Sequence, residues 1–224
     1  MNEFDTKYRA RLEKLETTLI ADAIDTVQGS QQRFAYGINP MNANPRKIIG
    51  KAVTVKITAA GMTKSKTHMC IKAIDAAQEG DVIVIDNGGR LDTNCWGGLT
   101  ALAAKLKGVS GTVIDGACRD IEDYNECDYP VFARGRVIST GRGRLMEEST
   151  NEMIQFHGVQ VRPGDVVVAD QSGVVFIPVE ILDAVIDKAE QLLEKEQAMV
   201  ADLKAGMSML EVDAKYSYEQ MLNK

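Results

Sequence analysis

Two adjacent glycines stand directly before a predicted helix in the segment Trp96-Gly97-Gly98-Leu99-Thr100. Glycine lets the backbone approach a ligand closely, and the first turn of a helix offers N–H groups that have no intrahelical acceptor. Such a turn can hold a carboxylate or a phosphate. A plain tight turn has the same sequence, and the glycine spacing matches neither a dinucleotide fingerprint nor a P-loop. The segment is therefore a candidate anion site with a purely structural alternative.

A second polar segment, residues 115–123, follows a strand predicted over residues 111–115. Arg119 stands beside Asp120, and Asp123 follows three residues later. One interpretation is a helix N-terminus with acidic residues and a surface ion pair. The other is a hard-cation site at Asp120 and Asp123, next to a guanidinium that binds a substrate carboxylate. Because ligands bind outside the carboxyl ends of strands in open α/β sheets, we expect both loops to open on one edge.

The elements that must hold these segments follow from the hydrophobic pattern of the first half of the chain. The pattern predicts helices over residues 8–27, 66–77 and 99–107, and strands over residues 50–60, 81–86 and 111–115. The strand–helix–strand order between residues 81 and 115 predicts a right-handed βαβ unit with parallel strands.

The second half of the chain has a different pattern. Short strands are predicted over residues 131–138, 159–161, 165–169 and 174–177, with tight turns at 162–165 and 170–173. Short strands with short turns indicate antiparallel pairing. A charged helix over residues 180–204 and a polar tail follow. The sequence therefore predicts an α/β fold, a mixed-sheet layered structure with flanking helices, in one domain over residues 1–224.

Composition excludes several classes of protein. The chain has 224 residues, 45% of them hydrophobic, and a net charge of −6, which argues against a nucleic-acid partner. No stretch approaches 18 apolar residues, so we expect no membrane association. The four cysteines match no zinc-binding pattern. Free thiols and the absence of an apolar leader predict a cytoplasmic protein.

Gly98, twenty further residues, Arg119-Asp120 and Asp123 resemble the motif of the RraA-like family. That family includes class II 4-hydroxy-4-methyl-2-oxoglutarate / 4-carboxy-4-hydroxy-2-oxoadipate aldolases and the regulators of ribonuclease E activity. The resemblance covers about residues 15–205 and includes blocks at 80–86 and 158–165. It implies a fold akin to a phosphohistidine swivelling domain, and a homotrimer or dimer of trimers with active sites between subunits.

The resemblance also implies roles for single residues. Asp120 would bind Mg²⁺ or Mn²⁺, and Arg119 would contact the pyruvyl group and stabilise its enolate. The pyruvyl carboxylate would lie on the backbone amides of Gly97, Gly98, Leu99 and Thr100. The implied reaction is metal-dependent cleavage of a 4-hydroxy-2-oxo acid or related keto acid through a pyruvate enolate, with oxaloacetate decarboxylation as a side activity. The alternative is a non-catalytic ring that regulates an RNA-degrading endonuclease.

Gly98 departs from the family pattern. Many family aldolases carry an acid at this position, where it helps to hold metal-bound water. If that acid is needed, metal binding here is weaker or is completed by another carboxylate. Besides Asp123, the candidates are Asp92 in the preceding loop and Glu196 on the last helix, which would reach across a subunit boundary.

Four arginines lie within eleven residues: Arg134, Arg136, Arg142 and Arg144. One interpretation is a strand end and a loop whose charges pair with neighbouring subunits. The other is a second binding site, or clamp, for a substrate anion such as a distal carboxylate or a phosphate.

Other residues near the two motifs have a structural and a functional interpretation. Cys118 adjoins Arg119, which could lower its thiol pKa, but the favoured interpretation is a small buried residue beside a pocket. Trp96 could line the pocket or belong to the core. His68 and His157 are interpreted as structural.

Overall fold

The computed structural model describes residues 4–29, 33–63 and 67–218. In these ranges the strands are β1 (Phe34–Ala35), β2 (Asn39–Pro40), β3 (Ile48–Ala59), β4 (Val82–Asn94), β5 (Gly111–Cys118), β6 (Val131–Arg136), β7 (Leu145–Thr150), β8 (Ile154–Phe156), β9 (Val159–Val161), β10 (Val166–Asp170) and β11 (Gly173–Ile177). The α-helices are α1 (Ala10–Leu12), α2 (Thr17–Gln28), α3 (Ile71–Ala76), α4 (Gly98–Leu106), α5 (Ile121–Glu126), α6 (Leu182–Lys204) and α7 (Met209–Tyr216).

Nine strands form one mixed sheet. Its hydrogen-bonded order is β1-β11-β10-β3-β4-β5-β6-β2, and β7 pairs with β3 outside this path. The four central strands, β3 to β6, run parallel to one another, whereas all other pairs in the sheet are antiparallel. The mixed sheet, the parallel βαβ unit and the antiparallel second half are therefore confirmed.

Apolar side chains fill both faces of this sheet. On one face, α3 and α4 cover β3 to β6 in a core that includes Trp96 and Tyr129. On the other face, the β8–β9 hairpin packs with Phe132 and Phe176. Helices α2 and α6 pack together on β10 and β11 in a third cluster. The helices thus flank the sheet and leave the carboxyl edge of β4 and β5 open for loops.

The helix expected over residues 8–27 is wrong as one continuous element. The chain forms a π-helical turn and α1, then becomes extended at Glu16 before α2 begins at Thr17. Asp170 accepts hydrogen bonds from the backbone N–H and hydroxyl of Thr17, at 2.8 and 2.7 Å. The Lys47 ammonium donates to the Leu12 carbonyl at 2.6 Å. Distant residues therefore stabilise the break, which hydrophobic periodicity does not register.

Other elements also differ from the expectation. Strand β4 continues to Asn94, beyond the expected end at residue 86. The helix expected over residues 66–77 begins only at Ile71, because Cys70 has a left-handed φ of 68°, and residue 66 lies outside the described residues. Strand β7 was not predicted, since its polar alternation is weak. Helix α7 was also missed, although Ser208 and Glu211 form a capping box there.

No helix among the described residues is both long enough and apolar enough to cross a membrane.

Candidate functional site

The two candidate loops leave neighbouring parallel strands at the same edge of the sheet. Strand β4 ends at Asn94 and β5 ends at Cys118. Backbone hydrogen bonds join the loops, from Cys95 N–H to the Ala117 carbonyl at 3.2 Å and from Arg119 N–H to the Trp96 carbonyl at 3.1 Å. The expected convergence of the two segments is therefore observed.

The Gly97–Gly98 turn starts helix α4. The Thr100 hydroxyl donates to the Gly97 carbonyl at 2.7 Å and lies 3.1 Å from the Gly97 nitrogen, which closes the turn. The Gly98 N–H donates to Asp120 Oδ2 at 3.0 Å. Leu99 and Thr100 occupy the first helical turn, whose N–H groups have no intrahelical acceptor. The turn already holds one carboxylate of the protein and has further amides for another anion.

Both glycines lie closely against carboxylates of the protein. A Cβ atom at Gly97 would lie 2.6 Å from Asp120 Oδ2. A Cβ atom at Gly98 would overlap Asp123 Oδ2 and lie 2.6 Å from Asp123 Cγ. The Asp123 carboxylate therefore occupies the space that a side chain at position 98 would need.

Arg119 and Asp120 present their charged groups side by side. Asp120 has a left-handed backbone (φ 60°, ψ 51°) just before α5, and its carboxylate accepts from the amide of Gly98. Arg119 Nε lies 3.4 Å from Asp120 Oδ2, and within the described residues this buried nitrogen has no well-aligned hydrogen-bond acceptor. About a third of each side chain is exposed (33% and 38%). Both groups are thus available to a ligand in the cleft.

A cleft of about 440 Å³, counting its open mouth, lies at this edge of the sheet. Its lining residues are His68, Met69, Asn94, Cys95, Gly97, Gly98, Leu99, Thr100, Arg119, Asp120, Thr140, Gly141 and Arg142. The structure thus brings together Arg119, Asp120 and the whole Gly97–Thr100 turn. Arg142 and His68 reach the same cleft from other parts of the chain.

The Trp96 carbonyl supports both loops. In addition to the Arg119 amide, it accepts from the Tyr124 hydroxyl at 3.2 Å and from Asn94 Nδ2 at 3.3 Å. The Trp96 ring is buried and stacks on Tyr129 at a centroid distance of 6.4 Å. Trp96 therefore belongs to the core and does not line the cleft. Asn94 was missed by sequence reasoning, because nothing local distinguishes it.

Cys118 is not an activated thiol. Burial raises its pKa to about 11, which outweighs the hydrogen bond with Tyr124 and the charge of Arg136, both of which lower it. The expectation that Arg119 could lower this pKa is therefore wrong, and the alternative of a small buried residue beside the pocket holds.

The other predicted carboxylates lie in different places. Asp123 flanks Gly98 from outside the cleft lining. Asp92 is exposed, 4.0 Å from Arg90 Nε. Glu196 lies on α6 in a separate groove with Lys14 and shares no lining residue with the cleft. Within one chain, Glu196 therefore does not contribute to the site.

The possible metal donors at the turn are carboxylate oxygens. The described residues contain no group of three or more His, Cys, Asp or Glu side chains that could hold one. Mg²⁺, however, commonly uses only one or two carboxylates and keeps several waters. Asp120, whose carboxylate lies against Gly97, and Asp123, whose carboxylate lies against Gly98, supply hard oxygen donors of this kind. The residues present fit a largely hydrated divalent ion.

The fold and the site together define a class of α/β protein, whose mixed sheet presents helix amides, a guanidinium and carboxylates at one edge. The chain belongs to the RraA-like family, because the family profile described as RraA-like, Aldolase/RraA, matches residues 17–176. The resemblance that the motif suggested is confirmed.

Curated relatives and solved structures agree with this assignment. A protein of Halalkalibacterium halodurans named "Putative 4-hydroxy-4-methyl-2-oxoglutarate aldolase" is 33% identical over 202 residues, covering 88% of this chain and 89% of that protein. Protein DlpA of Legionella pneumophila is 31% identical over 203 residues, 90% of this chain. The chain spans only 32% of the length of DlpA.

A solved structure of Streptomyces coelicolor RraAS2, described as an unusual member of the RNase ES inhibitor RraA protein family, superposes with a TM-score of 0.76. The match covers 84% of this chain and 92% of that one at 24% identity. At this identity the likeness shows the fold alone.

Proposed function

We propose that this protein is a divalent-metal-dependent lyase that cleaves a 4-hydroxy-2-oxo acid or a related keto acid to release pyruvate. One observation carries the proposal: the Gly97–Thr100 turn, Arg119 and Asp120 line the same cleft at the ends of neighbouring strands. A 2-oxo acid needs this combination, because its carboxylate requires N–H donors and its carbonyl oxygen becomes negatively charged during cleavage. The name of the Halalkalibacterium halodurans relative supports the same class of reaction.

In this proposal the turn and Arg119 bind the pyruvyl end of the substrate. The first-turn amides of Leu99 and Thr100 donate to the carboxylate. The Arg119 guanidinium places a fixed positive charge next to the 2-oxo group. Removal of the 4-hydroxyl proton by a base breaks the C3–C4 bond and leaves a carbonyl product and pyruvate enolate, which is then protonated at C3.

Asp120 and Asp123 would hold Mg²⁺ or Mn²⁺ in this site. When bound, the divalent ion supplies positive charge that stabilises the enolate oxygen. The Asp123 carboxylate lies against Gly98, the position at which many family aldolases carry an acid. Asp123 can therefore supply the carboxylate that position 98 does not have in this chain. Glu196 could join the site only from a neighbouring subunit.

The metal requirement is tested by pyruvate release from 4-hydroxy-2-oxo acids and from oxaloacetate, which decarboxylates to the same enolate. We expect turnover with Mg²⁺ or Mn²⁺, loss of turnover with a chelator, and recovery with excess metal. Enzyme-free blanks at each metal concentration correct for spontaneous decarboxylation. Unchanged turnover under chelation would contradict the metal assignment.

A non-catalytic regulator of an RNA-degrading endonuclease is the second candidate. The absence of an acid at position 98, where many family aldolases carry one, favours it. If the purified protein captured such an endonuclease and released pyruvate from none of the keto acids, this candidate would replace the lyase.

We also propose that the chain assembles as a homotrimer or a dimer of trimers. Leu99, Leu102 and Leu106 form an exposed stripe along α4, and Leu99 and Leu106 are 81% and 80% exposed. Residues at these spacings share one helix face. An apolar stripe next to the cleft supports self-association and active sites near subunit boundaries.

Leu106→Glu is expected to convert this assembly into smaller species, because it places a charge within the apolar stripe. Size-exclusion chromatography with light scattering measures the mass, which for the wild type should be three or six times that of the monomer. Leu210→Glu is the control, since Leu210 is equally exposed (79%) on α7. A monomeric wild type, or an unchanged mass for Leu106→Glu, would contradict the proposed interface.

A further inference from the structure

The four clustered arginines have different environments, and only Arg142 lines the cleft that contains Arg119. Arg134 forms an ion pair with the buried Asp115 and also contacts His157. Arg144 donates from Nη1 to the Thr140 carbonyl at 2.8 Å. Arg136 lies at the end of β6, outside the cleft lining. The structure therefore singles out one member of the cluster.

The loop that carries Arg142 is attached to the glycine turn through Asn94. Asn94 Oδ1 accepts from the Gly141 N–H at 2.9 Å, and the Asn94 N–H donates to the Ser139 carbonyl at 3.2 Å. The same side chain donates to the Trp96 carbonyl beside the turn. A Cβ atom at Gly141 would overlap the Asn94 carbonyl oxygen. This close packing sets the position of Arg142 relative to the pyruvyl end of the site.

The Arg142 guanidinium has no counter-charge within the described part of the chain. Among the residues that the structure describes, no carboxylate lies within ion-pair distance of it, and its backbone N–H bonds to the Thr140 hydroxyl. Arginine binds carboxylates through two parallel N–H donors. The cleft thus has two guanidiniums on separate loops, of which Arg119 is assigned to the pyruvyl end.

The surface beside Arg142 is mostly apolar. A groove continues from the cleft and shares part of its lining, including Arg142. The residues that line only the groove are Ile71, Ile74, Asp75 and Ala103. Without the arginine, this region would favour an apolar substrate tail. Arg142 is therefore placed to decide between an acidic and an apolar distal group.

We propose that Arg142 binds a distal carboxylate of the substrate and so selects dicarboxylic 2-oxo acids over their monocarboxylic counterparts. The inference rests on the proposed lyase function for the orientation of the substrate. It assigns Arg142 to specificity and gives it no part in bond cleavage.

A binding experiment tests this role without turnover. 2-Oxoglutarate and 2-oxopentanoate differ only by a carboxylate in place of a methyl group, and neither has a 4-hydroxyl group. Isothermal titration in the presence of Mg²⁺ should show that Arg142→Gln weakens 2-oxoglutarate binding by about 10- to 100-fold, the effect of losing a charged hydrogen bond. Binding of 2-oxopentanoate should stay within about twofold. Arg136→Gln removes the same charge outside the cleft and should change neither affinity.

Exchange of the pyruvate methyl protons with deuterium, followed by NMR, separates this inference from the proposed function. Exchange requires enolate formation at the pyruvyl end and no distal group, so wild type and Arg142→Gln should exchange equally fast. If Arg142→Gln left the ratio of 2-oxoglutarate affinity to 2-oxopentanoate affinity as it is in the wild type, the role of Arg142 would be overturned. This holds whether both affinities stay the same or both fall equally. Absence of exchange and cleavage in the wild type, with the affinity ratio still dependent on Arg142, would overturn the lyase and leave the clamp standing.

Discussion

Asp120→Asn is expected to lower pyruvate formation by about 100-fold or more, the scale seen when one charge-stabilising group is removed from an active site. The substitution removes the carboxylate charge proposed to hold the divalent ion. Asparagine tolerates the left-handed backbone at this position and keeps an oxygen that can accept from the Gly98 amide. The effect should therefore fall on activity and leave the thermal unfolding midpoint nearly unchanged.

Asp128→Asn is the matched control for this measurement. Asp128 also has a left-handed backbone, with φ of 49°, but it lies outside the cleft and pairs with Arg46 and Lys105. Initial rates over a range of Mg²⁺ concentrations should be close to wild type for this control. If Asp120→Asn kept more than about a tenth of the wild-type rate at saturating Mg²⁺, the assignment of the metal to Asp120 would be wrong.

The second large effect is expected for Gly98→Ala. The added Cβ would overlap the Asp123 carboxylate, so that carboxylate must move away from the turn. We expect the metal concentration for half-maximal activity to rise by about tenfold or more, as when a group that tunes a metal site is displaced. The added Cβ would also lie 2.8 Å from Asp123 Cβ, so α5 must shift, and global stability should fall by about 1–3 kcal/mol, the usual cost of overpacking. Recovery of activity at high Mg²⁺ in the folded variant distinguishes a weakened metal site from misfolding.

An exchange of the two positions sharpens the test. Gly98→Asp combined with Asp123→Ala places an acid at position 98 and removes the carboxylate that would overlap it, which leaves only the 2.8 Å approach to the Cβ atom of residue 123. This double variant should bind metal more tightly than Gly98→Ala alone. Gly61→Ala is the control, because a Cβ there meets no atom within 4 Å. Wild-type metal dependence in Gly98→Ala would show that Asp123 has no part in the site.

The sequence predicted the parts of the site that depend on local order. Buried strands followed by polar loops placed Gly97 and Arg119 at one edge, because parallel neighbouring strands end together. The position of Asp123 against Gly98 could not be predicted, since it depends on the direction in which α5 leaves β5. The link from Asn94 to Gly141 was equally hidden, because it joins residues 47 positions apart.

In the fold, too, elements set by local sequence were predicted, whereas features stabilised by distant residues were not. The βαβ unit around α4 followed from periodicity alone. The break before α2 did not, because Asp170 and Lys47 stabilise it from other parts of the chain. Glu196 shows the same for the site. Its helix was predicted from the sequence, but its separation from the cleft depends on how α6 packs on α2.

Strand β3 forms ladders with three partners that are far apart in the sequence. Its first residues pair with β10, its middle with β4 and its last with β7. Lys51 pairs with Val166, so more than a hundred residues separate the two sides of that ladder. Contacts of such long range slow folding, because the chain entropy of closing the loop is lost before the contact forms. During synthesis, the hydrogen-bonding edge of β3 therefore stays unpaired until β7 and β10 have been made. The parallel strands that carry the cleft are then fully packed only at a late stage of folding.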